Sequence, residues 1–143
     1  AADFTVAGTD ATLWEPFVDR GFSPDSGATW LLPRLAGLTR AKRMLLLGEK
    51  VSGGQAADWG LIHQAVATDD VDTATDDLLA RLASGPTVAI GLAKQAINYG
   101  LHASLGQSMN HELSSLELSC RTGDFKEGLA AFRERRDPEF QGR

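Results

Sequence analysis

The sequence predicts an α/β fold in which helices predominate over a few short strands. After about residue 34, apolar residues recur at helical spacing, and Gly, Pro and capping residues mark where the helical segments end. Before that point, residues 4–7 and 11–14 alternate like strands around a turn at residues 8–10. Because two or three short strands do not make a stable sheet alone, we expect further strands to complete it.

The next segments carry start and stop signals. Thr39 is predicted to cap a helix that holds the apolar run 44–47, packs on two sides and stops at Gly48. Ser52 and Gln55 fit a capping box, in which each side chain bonds the other residue's backbone N–H. That short helix is predicted to close at Gly60, and residues 61–66 to form a strand.

Four amphipathic helices are predicted in the remainder of the chain. The first starts at Asp69 or Asp70, where acidic residues favour the helix dipole. The second has Pro86 as its first residue, because the missing N–H is not needed there. A capping box opens the third at Ser104, and Asp124 starts the last, which ends before Pro138.

Composition and charge narrow the classes of function. The 143 residues are 43% hydrophobic and 23% charged, as in an ordinary globular domain, and the net charge is -5. We therefore expect neither a nucleic-acid partner nor a membrane partner. The longest strongly apolar run is too short to span a bilayer, and no basic segment leads into an apolar stretch, which predicts a soluble chain without an export signal. The single cysteine, Cys120, agrees with a reducing cytoplasm.

The loop 21–30 is the leading candidate for chemistry. Asp25 follows the rigid Pro24 and precedes small residues that let a ligand approach the backbone. In an apolar pocket it could shuttle a proton, or remain ionised as a nucleophile. The alternative is that Asp25 and Ser26 only complete a turn. The predicted pocket residues are Trp14, Phe17, Phe22, Pro24 and Trp30.

An ordered series of motifs spans the chain and resembles the crotonase, or enoyl-CoA hydratase/isomerase, family. That family folds as a spiral of ββα turns followed by C-terminal helices that trimerise, often as a dimer of trimers. Its members polarise an acyl-CoA thioester carbonyl with two backbone N–H groups. The motifs include Ala2-Asp3-Phe-Thr-Val-Ala7, Gly21-Phe-Ser-Pro-Asp-Ser-Gly-Ala-Thr-Trp30, Leu32-Pro-Arg-Leu-Ala-Gly37, Ala56-Ala-Asp-Trp-Gly-Leu61 and Glu127-Gly-Leu-Ala-Ala-Phe-Arg-Glu-Arg-Arg136.

The resemblance assigns roles to particular positions. Asp3 marks the strand after the helix that carries the family's first catalytic Glu, which implies that this Glu, both oxyanion donors and much of the CoA site precede residue 1. The second Glu of typical hydratases falls on Phe17, which cannot move protons. Asp25 matches the acid of similar phenylacetate-pathway isomerases, and also the nucleophile position of halobenzoyl-CoA dehalogenases.

Near the end of the chain, Phe132 and Arg135 fall where the family places an aromatic ring and a cation against the adenine and phosphates of CoA. The alternative is a solvated helix end with basic residues that complement the dipole. The three histidines lack metal-ligand spacing, so no metal site is predicted. No cofactor is expected either, because CoA is carried by the substrate.

Together these observations predict the C-terminal part of a crotonase fold. Residues 1–67 would belong to the spiral core, and residues 68–143 would form a helical region that oligomerises and contacts CoA. The predicted function is double-bond isomerisation of an enoyl-CoA in fatty acid metabolism, by a homotrimer or dimer of trimers that is incomplete as this chain. The alternatives are an inactive truncated remnant or assembly module, and an enoyl-CoA hydratase.

Overall fold

A computed structural model describes residues 2–143 of the chain. The chain forms two compact units, the first described from residue 2 to Asp76 and the second comprising Asp77–Arg143. No helix within residues 2–143 is both long enough and apolar enough to cross a membrane. The predicted boundary at residue 67 stays a prediction.

The strands lie in the first unit and pair in two small sheets among the described residues. Strand β1 (Val6–Gly8) is parallel to β4 (Gln64–Val66), and β2 (Thr12–Leu13) is antiparallel to β3 (Val51–Ser52). Each predicted strand, 4–7, 11–14 and 61–66, overlaps a shorter observed strand, but β1 extends to Gly8, which was predicted to lie in the turn, and β3 was not predicted. Phe4 and His63, which lie outside the paired residues, have rings that pack edge to face with 4.9 Å between their centroids.

Three α-helices, two 3₁₀ turns and the first residues of the next helix complete the first unit. The 3₁₀ turns are Val18–Arg20 and Thr68–Asp70, and the three helices are α1 (Ala28–Ala36), α2 (Leu38–Leu47) and α3 (Gly53–Asp58). Helices α1 and α2 pack against each other over the core. The buried core residues are Ala28, Leu32, Ala41, Met44, Leu45, Val51 and Ala56.

Helix α2 corrects two predictions. It begins directly after Gly37, and no side chain caps it, so Thr39 is not the cap. Met44 and Leu45 are buried, but the last two leucines are 63% and 74% exposed, so the helix packs on one side only. The predicted stop is confirmed, because Gly48 adopts the left-handed conformation at φ 61° and donates its N–H to the carbonyl of Arg43.

Four helices follow, α4 (Val71–Ala83), α5 (Thr87–Gly100), α6 (Leu105–Cys120) and α7 (Gly123–Glu134), with the division between the two units falling inside α4. The capping boxes at Ser52 and Ser104 are both confirmed. Pro86 lies at the N-cap of α5, one position earlier than predicted.

Asp124 does not start α7 as predicted. The cap is Thr122, whose Oγ accepts the N–H of Phe125 at 3.1 Å. The Asp124 side chain does not cap the helix, and Asp124 is buried, with 4% of its surface exposed. Its two carboxylate oxygens accept the N–H groups of Gln141 at 2.7 Å and Gly142 at 2.9 Å, so it fastens the C-terminal tail to the start of α7.

Candidate active site

The 3₁₀ turn Val18–Arg20, which directly precedes the loop that carries Asp25, is closed by backbone and ring contacts. The N–H of Phe22 donates to the carbonyl of Phe17 at 3.1 Å. The two phenyl rings meet edge to face, with 5.5 Å between centroids, an arrangement that aromatic quadrupoles favour. Gly21 supplies the positive φ of 78° that the tight reversal requires. These contacts close the turn just before the loop that carries Asp25.

Asp25 lies three residues beyond Phe22, shortly before the chain enters α1. Its carbonyl accepts the N–H of Ala28 at 2.9 Å, and its Oδ1 accepts the hydroxyl of Ser26 at 2.7 Å. Ser26 has φ 53°, a conformation that costs a non-glycine residue about 1 kcal/mol or more and is concentrated at functional sites. The turn geometry of the alternative interpretation is present, and it leaves the carboxylate exposed and oriented.

The predicted pocket residues all lie in the first unit. Phe17 and Pro24 are half-buried, whereas Phe22 and Trp14 are exposed. The Lys50 ammonium lies 4.5 Å from the centre of the Trp14 ring. Trp30, in α1, is half-buried beneath the guanidinium of Arg34, whose Cζ is 3.8 Å from the ring centroid. The apolar pocket expected around Asp25 is thus not closed over it in this chain.

Glu15 is a second acidic residue of this region, and the sequence analysis did not identify it. Its side chain is half-buried. Burial, followed by the negative charge of Asp25, raises the pKa of the Glu15 carboxyl above its ordinary value. In the family pattern the position of the second catalytic Glu falls on Phe17, two residues after Glu15. The sequence does distinguish Glu15, because it is the only ionisable residue among residues 11–18.

The two residues expected to contact CoA lie in the second unit. Phe132 is 83% exposed on α7, and Arg135 ends that helix in the left-handed conformation, also exposed. The neighbouring Arg136 is engaged instead with Glu127, through contacts of 2.5 and 3.0 Å. These hydrogen bonds lower the pKa of Glu127 to about 2. Arg135 takes no part in that ion pair.

A cavity of about 270 Å³ opens between α5, α7 and the C-terminal tail, within the second unit. Within residues 2–143, no group of three or more His, Cys, Asp or Glu side chains is placed to hold a metal ion. The residues that line the cavity are Pro86, Ala89, Ser119, Thr122, Asp124, Phe125, Gly128, Leu129 and Phe140.

The fold is similar to that of solved enoyl-CoA hydratase structures. The enoyl-CoA hydratase from Bacillus anthracis superposes with a TM-score of 0.91 at 32% identity, over 99% of this chain and 55% of that one. The arrangement is that of the C-terminal part of the crotonase fold. The family model for enoyl-CoA hydratase/isomerase matches residues 1–143, and the chain belongs to that family.

Two curated relatives are similar along nearly the whole chain. The 1,2-epoxyphenylacetyl-CoA isomerase of Escherichia coli is 38% identical over 141 residues, which are 99% of this chain and 54% of the relative. The probable enoyl-CoA hydratase of Rhodobacter capsulatus is also 38% identical, over 100% of this chain and 56% of the relative. The chain spans about half the length of these relatives.

Proposed function

We propose that the protein acts on enoyl-CoA thioesters and shifts a carbon–carbon double bond by proton transfer through Asp25. The observation that carries the proposal is the carboxylate itself, exposed at the entrance to α1 and fixed by the Ser26 hydroxyl. A relative with 38% identity bears the name of an acyl-CoA isomerase, which supports the same substrate class. Isomerases and hydratases both occur among the relatives.

The reaction requires one base and groups that stabilise the negative charge of the enolate. The Asp25 carboxylate takes a proton from the substrate carbon next to the double bond. The electron pair of the broken C–H bond moves onto the thioester oxygen, which gives an enolate. Return of a proton at the other end of the conjugated system places the double bond in its new position. Stabilising the enolate is usually the larger energetic term, and the resemblance to the family implies that two backbone N–H groups provide it.

For the remainder of the substrate, we propose that Phe132 stacks on the adenine of CoA and that Arg135 binds a phosphate. Both side chains are exposed at the end of α7, and a planar guanidinium suits bidentate phosphate binding. The proposal includes no cofactor held by the protein itself, since the substrate brings its own CoA. A reducing cytoplasm remains the proposed compartment, on the single cysteine.

The proposed assembly is a homotrimer or a dimer of trimers. Helix α6 supports it, because one face of this 16-residue helix carries exposed apolar side chains at a spacing of three or four residues. Light scattering after size-exclusion chromatography measures the mass of the assembly directly. The exposed residues on this face are Leu105, Met109, Leu113 and Leu116.

The activity is tested by titrating the purified protein with crotonyl-CoA and with free CoA in a calorimeter, beside assays of isomerisation and of hydration. Asp25→Asn removes the base and keeps the shape, so we expect isomerisation to fall about 100-fold or more while binding is retained. Asp77→Asn is the matched control, since Asp77 is exposed in the middle of α4.

Each outcome of this experiment decides between stated alternatives. Equal isomerisation by the wild type and Asp25→Asn would remove Asp25 from the reaction. Hydration without isomerisation would favour the hydratase alternative. A folded protein that binds neither ligand would favour the inactive remnant or assembly module.

A further inference from the structure

Helix α7 ends in a backbone conformation that is usually left to glycine. Arg135, its last capping residue, has φ 56° and ψ 42°, which is the left-handed region. The N–H groups of Arg135 and Arg136 both donate to the carbonyl of the buried Ala131, the second at 3.1 Å. Because a residue with a Cβ is disfavoured in this region, neighbouring groups must hold the chain in it.

Glu127 holds the chain on the far side of Arg135. Its two carboxylate oxygens accept hydrogen bonds from Nη1 and Nη2 of Arg136 at 2.5 and 3.0 Å, which makes a bidentate pair. One of the same oxygens accepts the backbone N–H of Glu139 at 2.9 Å. The Glu127 side chain is only 25% exposed. A single carboxylate on α7 thus fixes two points of the chain that follows the left-handed residue.

The arginines at this end of α7 are not equivalent. Arg136 is held by Glu127 and, through its Nε, by Glu134 at 2.7 Å. The guanidinium of Arg135 makes no hydrogen bond or ion pair with residues 2–143, the part of the chain that the structure describes. Phe132 precedes it by three positions and is 83% exposed. One uncommitted cation and one exposed ring therefore lie within a single turn of each other.

We propose that Glu127 is a positioning residue of the CoA site, an inference that rests on the CoA contacts proposed above. By fixing Arg136 and Glu139, Glu127 holds Arg135 in its left-handed conformation and keeps the neighbouring guanidinium away from the ligand. Arg135 is then the cation presented to a CoA phosphate. Because the disfavoured backbone forms on folding and not on binding, less free energy is lost when the phosphate binds. Glu127 itself does not touch the substrate.

Charge alone makes the opposite prediction for this residue. Glu127 and Glu134 are both paired with Arg136, so removing either negative charge near a bound phosphate should strengthen binding. The N–H of Glu139, however, donates to Glu127 and not to Glu134. A positioning role therefore predicts that Glu127→Gln weakens CoA binding, although the change of charge is the same. Glu134→Gln is the matched control.

The binding test is calorimetric titration of the protein with CoA, at a temperature where circular dichroism shows every variant to be folded. We expect Arg135→Ala to raise the Kd about 10-fold or more and Glu127→Gln to raise it about 3- to 10-fold. Glu134→Gln should leave the Kd unchanged or lower it. In the Arg135→Ala background, Glu127→Gln should have no further effect, because Glu127 acts through Arg135.

The kinetics of isomerisation separate positioning from general damage to the fold. With an enoyl-CoA, Glu127→Gln should raise KM and retain kcat. With the corresponding enoyl-pantetheine thioester, which lacks the phosphates and the adenosine, it should leave both constants unchanged. A similar loss with the two thioesters would overturn the positioning role.

The outcomes distinguish this inference from the function on which it rests. A Kd that is unchanged or lowered in Glu127→Gln, beside a raised Kd in Arg135→Ala, would overturn the inference alone. An equal effect of Glu127→Gln with and without Arg135 would do the same. An unchanged Kd in Arg135→Ala would overturn the phosphate contact proposed for Arg135, and failure of the wild type to bind CoA would overturn the proposed function itself.

Discussion

The buried carboxylate of Asp124 offers a direct test of how the C-terminal tail is held. Two backbone N–H groups of the tail donate to its two oxygens, and its own N–H donates to the carbonyl of Arg143 at 3.1 Å. Asp124→Asn keeps the shape but replaces one accepting oxygen with an NH₂ group, which faces a backbone donor. One charge-assisted hydrogen bond is lost and the other becomes neutral, so we expect a loss of about 2–3 kcal/mol in the free energy of unfolding.

The assay is chemical denaturation followed by circular dichroism, together with the rate at which a carboxypeptidase removes the last residues. Asp137→Asn is the matched control, because Asp137 is exposed on the same segment and its side chain accepts none of these bonds. We expect Asp124→Asn alone to lower the denaturation midpoint and to speed digestion of the tail. A loss below about 0.5 kcal/mol, with digestion unchanged, would show that the two N–H groups are satisfied by water and that Asp124 does not fasten the tail.

Two further predictions concern an ion pair and a pair of glycines. The folded-state pKa of Glu127 is depressed to about 2 by Arg136, so its contribution to stability is present above its unfolded value of 4.5 and is lost as pH falls from about 4.5 to 2. The difference in denaturation midpoint between wild type and Glu127→Gln should therefore shrink over that window, and a constant difference would contradict the assignment. Gly53→Ala would place a Cβ 1.9 Å from the carbonyl oxygen of Gly8 and should cost about 2 kcal/mol or more. The control Gly91→Ala meets nothing within 4 Å inside α5 and should stabilise by about 0.5–1 kcal/mol; equal effects of the two changes would refute the steric argument.

The features that were predicted from sequence are those made by neighbouring residues. Ser52 and Ser104 each bond a partner three positions away, and Gly48 ends α2 through its own backbone conformation. A local pattern suffices for such features, because the interacting groups are close in sequence whatever the remainder of the chain does.

The features that were not predicted depend on residues far apart in the chain, or on packing that outweighs a local conformational preference. Helix α1 contains Pro33, a residue that argues against a helix interior, and packing of its buried face on α2 outweighs that preference. Strand lengths depend on partners far along the chain, since β1 pairs with β4. Residues 4 and 5 have strand-like character, but the ladder itself begins at Val6.

The same difference between local and distant interactions applies to the candidate site. Asp25 is oriented by Ser26 and by a turn bond to Ala28, so its position follows from the residues beside it in sequence and could be predicted. The environment of Glu15 depends on burial in the first unit and on the charge of Asp25, which no local pattern reports.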